Sequence, residues 1–374
     1  MDLIFYNKDR KSKPDVVLFL TILTIAGIGI AMCYSASAVN ALALYGDSYF
    51  FLKRQSIWFL AGLVLLLVFQ EIDYRIYQKY SGLMIIISLV LLVLVFIPGI
   101  GHTVKGSARW LNLGVVGFQP SEFAKIAVIL YLAKAFSNEL PGSSFIVHFV
   151  VSFLIIGVMF LLIKLQPDLG TAISILLVSA LMFIISGFSF LYTIILAIAS
   201  VPTFYLLIYQ VDYRRDRILA YLNPWADRFG KGYHIIQSYI AFKRGSITGV
   251  GLGFGTQKLQ RLPEPHTDFI FAVIAEEVGL IGTVGLAIFF LVFFVCAVRI
   301  ALAISDKFGK LLAMGLGMLI TLQALINIGV VTGILPITGI PLPLVSYGGS
   351  SFLSTMVAGG ILLNISRYRE QAID

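Results

Sequence analysis

The chain has 374 residues, 59% of them hydrophobic and only 12% charged, with a formal net charge of +8 and a mean hydropathy of +0.95. A soluble domain carries about 25% charged residues, so this composition excludes an ordinary soluble globular protein and points to helices solvated by lipid or by one another. The basic excess points to anionic lipids or substrates and not to nucleic acid, because no basic face interleaved with aromatics forms a soluble module.

Residues 1–15 are polar and basic, an apolar run from Val16 to Met32 follows, and then come Ser35, Ala36, Ser37 and Ala38. This order imitates a signal peptide, but the run exceeds the roughly 7–15 residues of a typical leader core and many spans follow, so it reads as a retained first helix. Apolar runs predict helices near 16–34, 56–69, 82–98, 120–136, 144–163, 170–187, 190–209, 269–296, 311–331 and 344–365. The fold class is therefore an all-α polytopic integral membrane protein of ten spans, one domain over 1–374, with both termini on one side. Twelve Lys and Arg fall on the side of the termini against five in the short loops opposite, which makes the termini cytoplasmic. Between the seventh and eighth spans, residues 210–268 form a long extracytoplasmic loop. Its stretch Tyr233–Phe242 (YHIIQSYIAF) is amphipathic and predicts a helix lying on the interface, so the loop reads as a structured cap. Cys33 and Cys296 sit inside apolar runs and read as packing residues.

Ionisable groups within spans are costly and mark function by default. Glu122 and Lys125 lie three apart in the fourth helix, on one face, where they pair or point into a polar cavity. Glu276 and Glu277 (IAEEVG) lie about 12 Å into the eighth helix from Asp268 and point about 100° apart, so they are not expected to face one site. At the outer ends, polar residues gather in four hairpins: Arg109 in GSARWLNLG, Asp168 in KLQPDLGT, Pro263–Asp268 in PEPHTD and Ser346–Ser351 in SYGGSS. On this topology all four face one compartment. The glycine run Gly249–Gly255 (GVGLGFG) lacks a βαβ unit and is no dinucleotide motif. It reads as a flexible hinge, with a phosphate-facing turn as the alternative. SYGGSS permits either close helix packing or close approach of backbone to a ligand.

GSARWLNLG, FQPSEFAKI, QPDLGT, NPWADRFGKGYHIIQS, LPEPHTDFIFAVIAEEVGLIG and GILPITGIPLPLVSYGGSSFLSTMVAGGILLNISR occur in that order. Together they closely resemble the FtsW/RodA/SpoVE (SEDS) family over nearly the whole chain, with the wording around PEPHTD and NPWAD nearer the FtsW and SpoVE branch than RodA. Ala108 stands where many members place a second basic residue. The resemblance implies a ten-helix peptidoglycan glycosyltransferase of the bacterial cytoplasmic membrane. Such an enzyme polymerises lipid II in cell division or cell-shape maintenance, with a class B penicillin-binding protein as transpeptidase and other membrane proteins of those machineries as partners. It also implies that the Asp of the HTD motif, here Asp268, is the catalytic carboxylate, and that Mg2+ or Mn2+ assists the reaction.

The residues fit this chemistry on their own terms. Asp268, where loop meets apolar helix, is placed to take the proton of an attacking sugar hydroxyl. Arg109, Lys125 and bases of the long loop are candidates to hold the pyrophosphate, and a divalent ion would bridge phosphate to Asp268 or Asp168, although no dedicated metal cage is visible. His266 either carries a proton or orients its loop, orientation being favoured. Glu264, between Pro263 and Pro265, positions the loop. Thr267, Ser346, Gly348, Gly349 and Ser350 complete the expected substrate-binding set. A lipid II flippase and a non-catalytic scaffold for the transpeptidase are the alternatives. Crowding of polar groups at the outer ends favours the enzyme, since transporters place substrates near the midplane.

Overall fold

The computed structural model describes residues 12–104, 107–112, 117–137, 142–187, 219–230, 232–259, 262 and 265–369. Ten helices lie among them: α1 (Val16–Tyr45), α2 (Phe50–Glu71), α3 (Tyr74–Leu94), α4 (Pro120–Ser137), α5 (Gly142–Leu165), α6 (Leu169–Ile185), α7 (Tyr233–Gly245), α8 (Ile270–Leu302), α9 (Lys307–Val331) and α10 (Gly349–Ser366). Seven of these are long and apolar enough to cross a membrane, and α6 is apolar but shorter, at 17 residues. With them packs α4, nearly all of it buried although it carries Glu122, Lys125 and Lys134. The protein is a multi-pass membrane protein. The predicted span 190–209 and residues 210–218 lie outside the described residues.

Helix starts follow from short acidic caps. Asp15, Asp73 and Asp306 accept the N–H groups of Leu18, Arg75 and Gly309 at 3.0, 2.9 and 2.8 Å, supplying acceptors that the first turn of a helix lacks. All three sit at one end of the bundle, here termed the foot. There Ser12 donates from its backbone N–H to the carbonyl of Arg367, Asp15 does so to the hydroxyl of Ser366, and Arg369 pairs with the Asp15 carboxylate at 3.0 Å. The Asn364 amide joins the α2–α3 turn, accepting from Tyr74 N–H at 2.9 Å and donating to the Gln70 carbonyl at 2.7 Å. Residues 12 and 369 therefore lie at the same end. The opposite end, the crown, carries the loops of interest.

Most spans are longer than their apolar runs, whereas α6 (Leu169–Ile185) is slightly shorter than its predicted run and α10 starts only at Gly349, because residues 344–348 form an irregular turn before it. α1 continues to Tyr45, where Gly46 turns left-handed at φ 70°, because the small polar residues after Met32 pack inward: Ser35 bonds Glu277 at 2.6 Å and Ser37 bonds the Cys33 carbonyl at 2.7 Å. α2 begins at Phe50, before the exposed Lys53 and Arg54, and α3 at Tyr74. Cys33 and Cys296 are free and buried. One element departs from the all-helical expectation. At the crown, β1 (Gly101–Val104), β2 (Ser107–Asn112) and β3 (Gly117–Phe118) form an antiparallel sheet in which Gly101 faces Leu111 and Leu111 faces Phe118.

The main irregularity is in α8, where Gly279 leaves helical geometry at φ 71° and ψ −162°. Backbone groups freed by the break are taken up by the loop after α7. Val250 and Gly251 donate to the carbonyls of Glu276 and Glu277, both at 3.0 Å, while Leu280 and Ile281 donate to those of Ser246 and Ile247 at 3.0 and 3.2 Å. The side chains of the glutamate pair hold the same loop. Glu276 accepts the N–H groups of Thr256 and Gln257, each at 3.0 Å. Glu277 accepts Lys258 at 2.5 Å, Gly253 N–H at 3.1 Å and Ser35. This corrects two expectations. Although the two acids diverge around the helix, residues 253–258 wrap it and meet both. GVGLGFG is likewise a pinned turn and not a hinge, with Gly249 at φ 80° directly against the Glu277 carbonyl.

The break also sets depth. A straight α8 would carry Ile270 about 48 Å from Leu302, yet Asn327, which bonds Asp268, is only about 30 Å along α9 from Lys307. Bending at Gly279 turns the first nine residues of α8 aside and keeps Glu276 and Glu277 near the crown, not at the middle of a span. Removing the Glu277 carboxylate leaves Lys258 buried without its partner, a cost of about 3–5 kcal/mol. Glu277→Ala should therefore lower the melting temperature in detergent sharply, whereas Glu277→Leu combined with Lys258→Met should recover most of the loss.

Candidate functional site

The crown gathers three of the four predicted hairpins around the loop that precedes α8. His266, Thr267 and Asp268 present consecutive carbonyl oxygens to different elements. The carbonyl of His266 accepts Tyr347 N–H at 2.9 Å, that of Thr267 accepts the Ser346 hydroxyl at 2.6 Å, and that of Asp268 accepts the Asn327 amide at 2.9 Å. Three fixed carbonyls in a row immobilise the main chain, so these side chains project from a rigid base. Ser346 also accepts Leu342 N–H at 2.8 Å, and Asn327 also donates to the Ile340 carbonyl at 2.8 Å, which joins the segment 338–346 to the same frame. That segment flanks the carboxylate: Gly339 turns at φ 74°, and a Cβ there would stand 3.5 Å from Asp268 Oδ2. On its other side it meets the start of α6, where a Cβ at Gly170 would come within 2.6 Å of the Thr338 carbonyl.

Aromatic rings back the loop. The His266 ring lies 4.4 Å from Phe51 of α2 and 5.7 Å from Tyr347, centroid to centroid. The His266 ring thus packs against both neighbours. Burial pushes the Tyr347 phenol above its ordinary pKa, and a hydrogen bond from Arg54 opposes the shift. Arg54 is thus a cation beside the HTD loop. Leu344 takes a left-handed conformation at φ 63°, a strained setting for a branched side chain of the kind that functional loops retain.

Asp168 and Arg109 meet at the neighbouring corner, 3.9 Å apart. Arg109 donates to the carbonyls of Gln166 and Pro167. Asp168 caps α6, with Oδ1 taking Thr171 N–H at 3.2 Å and Oδ2 taking the Thr171 hydroxyl at 2.9 Å and the Gln119 amide at 3.1 Å. Ser350, in the first turn of α10, accepts Gln119 N–H at 3.1 Å, so Asp168, Gln119 and Ser350 form one chain of bonds across α6, α4 and α10. Gly349 packs on the indole of Trp58, whereas a Cβ at Gly348 would meet nothing within 4 Å. No side chain caps α10, and its uncapped first turn faces the crown beside Ser346 and Tyr347.

One turn deeper, Glu122 accepts Lys125 at 2.8 Å and the Ser354 hydroxyl at 2.8 Å, with both charged side chains about 3–5% exposed. The pair locks α4 to α10 beneath the site and does not reach its surface. Glu264 lies outside the described residues. The sequence reading missed Asn327, Arg54, Gln119 and Tyr347. For Asn327 a signal existed: an amide inside the apolar run ALINIGVV is costly in a span unless it has partners.

Asn327→Leu would keep the volume but remove the donor from the buried Ile340 carbonyl, at about 1–3 kcal/mol, and from the part-buried Asp268 carbonyl at less. Hydrogen exchange at residues 266–269 and 340 should quicken markedly in this variant, while exchange at the foot should not change.

With this geometry in hand, three comparisons bear on identity. The model of the FtsW, RodA and SpoVE family, described as cell cycle protein, matches residues 15–371. A probable peptidoglycan glycosyltransferase FtsW of Geobacter metallireducens is 43% identical over 361 residues, covering 96% of either chain. Stage V sporulation protein E of Bacillus subtilis is 42% identical over 360 residues, covering 96% of this chain and 98% of that protein. Among solved structures, one described as structural coordination of polymerization and crosslinking by a peptidoglycan synthase complex superimposes with a TM-score of 0.77 at 29% identity, covering 96% of this chain and 99% of the other. The rod shape determining protein RodA of Thermus thermophilus does so with 0.71 at 26% identity, covering 96% and 98%. The chain belongs to the FtsW/RodA/SpoVE family.

Proposed function

We propose that this protein is a peptidoglycan glycosyltransferase that polymerises lipid II at the outer face of the bacterial cytoplasmic membrane, with the crown outside and the foot in the cytoplasm. The observation that carries the reading is the clamp on the HTD loop. Three consecutive carbonyls are held by Tyr347, Ser346 and Asn327, which fixes the main chain that carries Asp268 at the crown, its carboxylate beside Gly339. Relatives named as peptidoglycan glycosyltransferases support the reaction class.

In this proposal Asp268 accepts the proton of the acceptor sugar's 4-hydroxyl as that oxygen attacks the donor's anomeric carbon. The bond to the diphosphate breaks on the opposite face, and the configuration inverts. Positioning accounts for much of the rate, since holding the two sugars in line replaces a bimolecular encounter. The diphosphate is assigned to the uncapped first turn of α10 at Gly348–Ser350, where backbone N–H groups and the helix dipole favour an anion, with Arg54 as the nearby cation. Arg109 and Asp168 then act by shaping the corner, since their polar atoms are engaged with one another and with the α5–α6 turn.

In this reading Asp168 serves as cap and joint, its oxygens accepting the Thr171 N–H, the Thr171 hydroxyl and the Gln119 amide. Among the described residues, no three of His, Cys, Asp and Glu are grouped to hold a metal. Mg2+ or Mn2+ is accordingly assigned to the substrate's diphosphate, and no step is routed through it. The proposed partner is a class B penicillin-binding protein, supported by the similarity to a chain from a complex in which polymerisation and crosslinking are coordinated. Ten spans remain the proposed count, the seventh being the run 190–209.

The test is polymerisation of labelled lipid II by purified protein, with and without the transpeptidase. Wild type should give glycan ladders, and Asp268→Asn, which keeps size and fold, should reduce them by at least about 10²-fold, the usual contribution of a general base. A folded Asp268→Asn that polymerises at the wild-type rate removes Asp268 from the mechanism. Transport of lipid II across vesicles with no polymer from either protein makes the chain a flippase.

A further inference from the structure

At the foot, well away from the HTD loop, a cavity of about 260 Å³ opens between α3, α4 and α5. Its polar lining is Ser81 of α3, Tyr131 and Lys134 of α4, and His148 of α5. Lys134 is three residues from the end of α4 and Ser81 seven from the start of α3, so the cavity lies about one to two turns inside the foot, where headgroups give way to acyl chains. Among the described residues Lys134 has no carboxylate partner.

The walls continue as aliphatic side chains. Leu83, Ile86 and Val90 of α3 are 52–59% exposed, and Val147, Val151 and Leu154 of α5 are 42–60% exposed. Each set follows helical spacing, so each forms a stripe running from the cavity toward the crown along the outside of the bundle. The Ser81 hydroxyl is spent on the Gln78 carbonyl at 3.1 Å, so the donors turned to the cavity are the half-buried Lys134 ammonium and the Tyr131 hydroxyl, and at the end of an apolar track they match an anion that carries hydrocarbon. A free anion would gain nothing from the track, and a zwitterionic headgroup would bring a positive group toward Lys134.

We infer that this groove is a binding site for one anionic phospholipid, its phosphate held by the Lys134 ammonium with the Tyr131 hydroxyl, beside Ser81 and His148 in the lining, and an acyl chain lying between α3 and α5. The site lies in the leaflet opposite the proposed chemistry and does not depend on that assignment.

The test uses the whole purified protein in mild detergent, titrated separately with phosphatidylglycerol and phosphatidylcholine, with bound lipid counted by native mass spectrometry. One phosphatidylglycerol should be retained in preference to phosphatidylcholine. Lys134→Gln should weaken that retention about tenfold, as loss of a charged hydrogen bond does. Gly82→Leu should do the same without changing charge, because a Cβ at Gly82 meets nothing within 4 Å and the larger side chain fills the groove. Lys310→Gln, a charge removed elsewhere at the foot, should have no effect. Equal retention of the two lipids, or loss no greater in Lys134→Gln and Gly82→Leu than in Lys310→Gln, overturns the site. Displacement by millimolar inorganic phosphate without loss of preference for anions would make a soluble anion the ligand and overturn the lipid assignment.

Discussion

Backbone N–H and C=O groups that leave regular helix near a bilayer must find partners in the protein, because lipid supplies none. The crown is organised by that constraint. Where α8 breaks at Gly279, residues 246–251 supply two donors and two acceptors in place of the missing helical bonds. Where the chain runs irregularly before α8, three carbonyls are satisfied by one backbone N–H, one hydroxyl and one amide. The same bonds that satisfy the backbone fix the main chain from which the proposed catalytic carboxylate projects, so local polar satisfaction and functional preorganisation have a common cause.

Several buried charges are best understood in the same terms. Glu276 and Glu277 read as functional acids when viewed as isolated charges in an apolar run. Their carboxylates instead receive three N–H groups, a lysine, an arginine and a serine. They join the cap to α8 and, through Ser35, to α1. Glu122 and Lys125 likewise join α4 to α10 under the site. Each charge in these groups is compensated, the condition under which burial is tolerated at all.

The bundle itself was legible because lipid-facing spans need long apolar runs, and YHIIQSYIAF was legible because its two faces differ. Helix ends were misjudged where polar side chains belong to the first or last turn, as at Lys53, Arg54 and Tyr74. The β1–β3 sheet was missed because short strands rich in glycine carry little alternation of their own. For the site, the sequence placed Asp268, His266, Thr267 and Ser346 at one end, and the structure brings their loops into contact. It gave no sign that Arg109 and Asp168 would turn toward each other and the α5–α6 turn, since that depends on a cap and two carbonyls supplied by distant packing. Arg54 went unnoticed for a similar reason, its partner Tyr347 lying in a loop far along the chain.

The fastening at the foot bears on how the molecule is assembled. Ser12 and Arg367 are bonded across 355 positions, and Asp15, which caps the first helix, is also the anion for Arg369. During synthesis the first span enters the membrane with half of that arrangement missing, and its cap waits for the last span before the ion pair can close. Contacts of such high sequence separation form late and exact their loop-closure entropy at the end. The joint between α1 and α10 thus works as a completion latch: until α10 is in place, Asp15 lacks Arg369 and the α2–α3 turn lacks Asn364, so the foot stays open.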